Sequence, residues 1–136
     1  MKYLDEVVTS LKELAGDVNY FAIVNWWQCV YKGHHIVYKP NTDNQTIRMC
    51  LLFYHRADSF DYQTLVSAIN QTNREVRYIK AVILRNGCIS INYDYRYDDR
   101  CDINAIIKHI LEALYFAAEY LQDKLVKNIS KRQVTS

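Results

Sequence analysis

The chain has 136 residues, 50% of them apolar, with twelve tyrosines, three glycines and one proline. That is enough for one domain with a sizeable core and short loops, and it argues against disorder. A formal charge of +2 excludes a strongly basic nucleic-acid or membrane-surface protein.

At the N-terminus, Leu4, Val7, Val8, Leu11 and Leu14 repeat at the i, i+3, i+4, i+7 spacing of a helix face, and Gly16 stands where a C-cap glycine belongs. Charges interrupt this segment, so it does not read as a signal peptide, and no apolar run approaches the ~18–20 residues of a membrane span. The expected location is cytoplasmic.

The stretch "FAIVNWWQCVYKGHHIVYKP" is rich in β-branched and aromatic residues and breaks at Lys32–Gly33, which predicts a hairpin with strands at about 20–31 and 34–39. Alternation puts Phe21, Ile23, Trp27, Cys29 and Tyr31 on one side and Ala22, Val24, Trp26, Gln28 and Val30 on the other. "PNTDN" (40–44) reads as a turn and 46–56 as a third strand. A helix follows, with Asp61 as N-cap and Tyr62, Leu65, Val66 and Ile69 on one face.

Strands at 76–85 and 88–97 flank Asn86–Gly87, the dipeptide of a two-residue type I′ hairpin. That register places Leu84/Ile89, Val82/Ile91, Lys80/Tyr93, Tyr78/Tyr95 and Val76/Tyr97 on one face. Tyr93, Tyr95 and Tyr97 then continue an apolar line under a helix, with Lys80 over Tyr93, rather than forming a platform for nucleic-acid bases. The other face carries Ile83/Ser90, Ile79/Asp94 and Arg77/Arg96. A closing helix at 103–127 has Ile103, Ile106, Ile107, Ile110, Leu114, Ala118, Leu121 and Leu125 on one side, and "YDDRCD" (97–102) reads as its cap. Residues 128–136 read as a basic flexible tail beyond a single domain, 1–127.

The order is α-β-β-β-α-β-β-α: an α+β fold with a mainly antiparallel five-stranded sheet and helices on one face. No catalytic motif is present, and the histidines and the four cysteines are not at metal-ligand spacing, so no enzyme, metal or cofactor is expected. The face left uncovered is the candidate partner surface, comprising Arg77, Ile79, Ile83, Asp94 and Arg96 plus one of Trp26 and Trp27. An anion or small ligand at Arg77/Arg96 is the alternative.

The stretch "LVSAINQTNREVRYIKAVILRNGCISINYDYRY", followed by a long amphipathic helix, resembles the YbjN-type family of bacterial proteins, described as sensory-transduction regulators with a fold similar to type III secretion chaperones. The matching features are Asn70 and Asn73 at the end of the middle helix, Lys80, the Asn86–Gly87 hairpin and the closing helix. The resemblance implies a non-enzymatic, usually dimeric domain that acts by holding other proteins, and it brings no catalytic residues. Secretion chaperones tend to be acidic, whereas this chain has a pI of about 8.3.

Overall fold

The computed structural model describes residues 2–40, 46–98 and 102–135, with side chains placed between residues 4 and 126. Helix α1 (Lys2–Leu14) leads into β1 (Gly16–Phe21), β2 (Trp26–Tyr31), β3 (His34–Lys39) and β4 (Thr46–Arg56). A single 3-10 turn (Ala57–Ser59) precedes α2 (Tyr62–Glu75), and β5 (Lys80–Ile83), β6 (Cys88–Arg96) and α3 (Ile103–Thr135) complete the chain.

The six strands form one sheet in the order β1-β2-β3-β4-β6-β5, and every neighbouring pair is antiparallel. The class is the expected α+β, but the sheet has six strands, not five. The segment at 20–31 is two strands joined by a turn at 22–25, in which Asn25 takes the left-handed conformation at φ 54°. The turn lacks glycine and proline, and Ile23 at its tip is fully exposed. An apolar turn of this kind is indistinguishable from strand by composition.

Helices cover one face of the sheet. Ile36, Ile47, Met49, Leu51, Ile89 and Ile91 from that face are sealed against Leu11, Leu65, Ile107, Ile110, Leu111 and Leu114 from the helices. These residues alternate along the strands and recur at helical spacing, so the same apolar pattern fixes both layers. Asp61 caps α2, accepting from the Thr64 N–H at 3.2 Å. Asp102 accepts from the Ala105 N–H at the start of α3. The Gly16 expectation fails: Gly16 opens β1 and the positive φ falls on Asp17, at 51°. The backbone of α3 continues to Thr135, through the segment expected to be a flexible tail. Residues 41–45 and 99–101, which carry most of the "PNTDN" turn and the middle of "YDDRCD", lie outside the described residues.

The two glycine-containing hairpins behave differently. Lys32 and Gly33 both have positive φ, at 49° and 82°, so they form the two-residue turn that pairs Tyr31 with His34. At the second hairpin only Gly87 is left-handed, at 87°. The Gly87 N–H donates to the Leu84 carbonyl and the Leu84 N–H to the Cys88 carbonyl. The loop is therefore three residues, Arg85–Gly87, a type I turn followed by a left-handed glycine. Ile83 consequently faces Ile89, and Ala81 faces Ile91. The shift of one residue turns every β5 side chain to the opposite face from the one expected.

Candidate functional site

The side of the sheet away from the helices is concave. Val37, Cys50 and Ser90 are only 4%, 5% and 4% exposed, although no described helix lies over them. They form the floor of a trough of about 460 Å³ that crosses β2, β3, β4 and β6. Trp26, Lys39 and Arg48 wall one end, and Leu52, Leu84 and Asn86 the other. The volume falls in the ~300–1,000 Å³ range of ligand-binding clefts.

Strand register explains who lines it. Gln28, Val37, Cys50, Asn92 and Lys80 are successive partners across five strands and share this face. One step along, Phe21 pairs with Trp26, Lys39 with Arg48, and Arg48 with Asp94. Arg48 Nε donates to Asp94 Oδ1 at 2.9 Å, and both side chains are half-exposed. The Lys39 ammonium lies 4.7 Å from the centre of the Trp26 ring. Ser90 Oγ donates to Asn92 Oδ1 at 2.6 Å.

Of the residues expected on this face, Trp26, Asp94 and Arg96 are there. Trp27 is not: it packs on the helix side, its ring 5.0 Å from that of Tyr20, with Lys12 beyond it. Ile79 is a buried core residue and Ile83 points to the helix side, both consequences of the one-residue register shift. Arg77 is exposed in the turn between α2 and β5 and does not pair with Arg96, so the expected Arg77/Arg96 anion site does not form. Phe21 also departs from its expected side, because the turn at 22–25 places it opposite Trp26.

The trough residues missed by sequence reasoning are chiefly Lys39, Arg48, Cys50, Leu52 and Leu84. The Lys32–Gly33 turn was the available signal, since it fixes the parity of β2 and β3.

The tyrosines of β6 face the helices, as expected. Tyr93 is buried, and its ring stacks between those of Tyr78 and Tyr95, each 6.1 Å away. Tyr93 Oη and His109 Nε2 are hydrogen-bonded at 2.7 Å. Burial first, then the neighbouring Tyr95 and Tyr78 hydroxyls, push the Tyr93 hydroxyl up to about 12. Lys80 does not cover this ring; it lies on the trough side, opposite Asn92.

The buried thiols of Cys29 and Cys50 are poor nucleophiles. Burial pushes Cys29 up to about 11, and burial likewise raises Cys50 despite the opposing influence of Lys39 and Ser90. Among the described residues, no three His, Cys, Asp or Glu side chains converge to hold a metal ion. No described helix is long and apolar enough to cross a membrane.

No family model matches the chain, and no curated protein matches it. Among solved structures, a chain of the HopA1–SchA chaperone–effector complex is similar, with a TM-score of 0.61 at 6% identity, covering 88% of this chain and 93% of that one. At such low identity the likeness is one of fold, an α+β sandwich.

Proposed function

We propose that the chain is a non-enzymatic protein-binding module, a cytoplasmic regulator or chaperone that acts as a homodimer and holds a segment of a partner protein in the trough. The observation that carries this reading is the concave, half-apolar face left uncovered on a chaperone-like fold. A flat polar face would need no partner; a recessed floor of Val37 and Cys50 walled by Trp26 and Leu52 offers pockets for side chains. The fold likeness supports protein binding in general. The resemblance to YbjN-type bacterial proteins, carried by Asn73, Lys80 and the Asn86–Gly87 hairpin, favours the regulator form of that role. Exposed Phe116 and Val126 on α3 supply apolar surface for self-association outside the trough.

Native mass spectrometry of untagged protein from its own cells tests the reading. The expected result is a dimer carrying a second polypeptide; the polypeptide is lost in Trp26→Asp and Leu52→Asp, whereas Phe116→Asp weakens the dimer and keeps the polypeptide. A small added mass in place of a polypeptide would favour the second reading, a small-ligand site in the same trough, which its enclosed floor also suits. A polypeptide retained in both trough variants would remove the trough from the function.

A further inference from the structure

Charge is segregated between the two sides of this molecule. Strands β2 to β6 contain five Lys or Arg residues, Lys39, Arg48, Arg56, Lys80 and Arg96, and a single carboxylate, Asp94. All five cations have trough-side register: Lys39 opposite Arg48, Arg48 opposite Asp94, Lys80 opposite Asn92, Arg96 opposite Thr46 and Arg56 opposite Cys88. The helical side is the reverse in one place, a groove between α1 and the start of α3 lined by Asp5, Glu6, Glu13 and Asp102. A chain of nearly neutral net charge thus presents a basic sheet face.

Resting on the protein-binding reading above, we infer that the segment held in the trough is acidic and apolar: a short stretch with carboxylates beside large apolar side chains. Lys39 and Arg48 line the trough, with Arg56, Lys80 and Arg96 elsewhere on the same face, while Val37, Cys50, Leu52, Leu84 and Trp26 give the trough its apolar surface. A phosphate backbone has no use for such a floor, which disfavours a nucleic acid. The ladder Phe21–Trp26–Lys39–Arg48–Asp94 sets the spacing. Trp26 and Arg48 are two strands apart, ~10 Å, the reach of about three extended residues. A carboxylate engaging Arg48 therefore sits about three residues from an apolar side chain against Trp26. Asp94 holds Arg48 in place by a hydrogen-bonded ion pair and leaves the guanidinium half-exposed.

Selection of a random short-peptide library on the full-length protein tests this. Recovered peptides are expected to be net negative with aromatic or aliphatic residues. A synthetic representative, followed by fluorescence anisotropy, should bind about tenfold or more weakly to Lys39→Glu/Arg48→Glu, and more weakly at higher salt. The double reversal should also shift selection toward basic peptides. Thermal melts establish that each variant is folded. Neutral or basic peptides that still require Trp26 and Leu52 would overturn the acidic preference and leave the protein-binding reading standing. Recovery of no peptide, or of peptides indifferent to Trp26→Asp and Leu52→Asp, would overturn both. Binding of a single-stranded oligonucleotide that Lys39→Glu abolishes, with no peptide recovered, would assign the face to nucleic acid and overturn the inference.

Discussion

The Lys39 ammonium sits 4.7 Å from the centre of the Trp26 ring, bridging β2 and β3 at one wall of the trough. The contact helps to orient a half-buried indole on the face away from the helices. At a solvent-exposed site such a cation–π pair contributes about 0.5–1 kcal/mol. A double-mutant cycle of Trp26→Leu and Lys39→Met, read by urea unfolding, should return a coupling of that size. Strict additivity of the two changes would mean that the ring is positioned by something else.

The β5 edge of the sheet is less available than the trough. Asn73, near the end of α2, donates from Nδ2 to the Ala81 carbonyl at 3.0 Å and accepts on Oδ1 from the Ala81 N–H at 2.6 Å. Leu84 is hydrogen-bonded to Cys88, so Ala81, three residues earlier, turns its backbone groups away from β6. The asparagine amide thus occupies the outer edge of β5 as a neighbouring strand would, leaving that edge less able to recruit another chain. Asn73→Ala should cost about 1–3 kcal/mol, since it strands two partly buried backbone groups. Asn73→Asp keeps the acceptor but sets a carboxylate oxygen against the Ala81 carbonyl, so it should recover only part of that loss. Chemical denaturation measures both, and light scattering should detect association of the alanine variant through the uncovered edge.

Most of the architecture was legible because it depends on periodicity. The faces of α1 and α3, the bounds of β4 and the Asp61 cap follow from side chains that repeat every two or every three to four residues. Two turns were not legible, and they had the largest consequences. Ala22–Val24 carry apolar residues into a turn whose geometry only Asn25 hints at. Asn86–Gly87 fits both a two-residue turn and the last two positions of a three-residue one, and Arg85, which decides between them, has no special preference. The site suffered most, because parity at that turn decides which β5 residues face the trough.

The register makes a sharp prediction. Ile79 is 7% exposed within the core, so Ile79→Ala should cost about 2–5 kcal/mol and Ile79→Asp should unfold the protein. Leu84 is 39% exposed at the trough wall, so Leu84→Asp should fold and should weaken capture of the proposed partner. Ile83→Asp, on the helix side of an edge strand, should lower the melting temperature and leave partner affinity unchanged in the folded fraction. The opposite pattern, with Leu84→Asp unfolded and Ile83→Asp defective only in binding, would restore the two-residue turn.

Alkaline pH should unfold the protein through groups buried on the helix side. Burial pushes Cys29 from its ordinary 9.0 to about 11. Burial, with a smaller effect of neighbouring Tyr97, pushes Tyr38 from 10.0 to about 12. Both groups hold their protons more tightly folded than unfolded, so the unfolded chain releases them first as pH rises. The stability they contribute is fully present below the unfolded value of 9.0 and is lost as pH climbs through the folded values of about 11 and about 12. The melting temperature should therefore carry no loss from these groups at neutral pH, begin to fall above pH 9.0 and fall steadily toward pH 12. Cys29→Ala removes one of the two thiols that burial raises, Cys50 being the other, so only the double variant Cys29→Ala/Cys50→Ala should delay the fall to the unfolded tyrosine value of 10.0. Differential scanning calorimetry of the parent and both variants across this range measures it, and an unchanged onset in the double variant would take the thiols out of the alkaline loss.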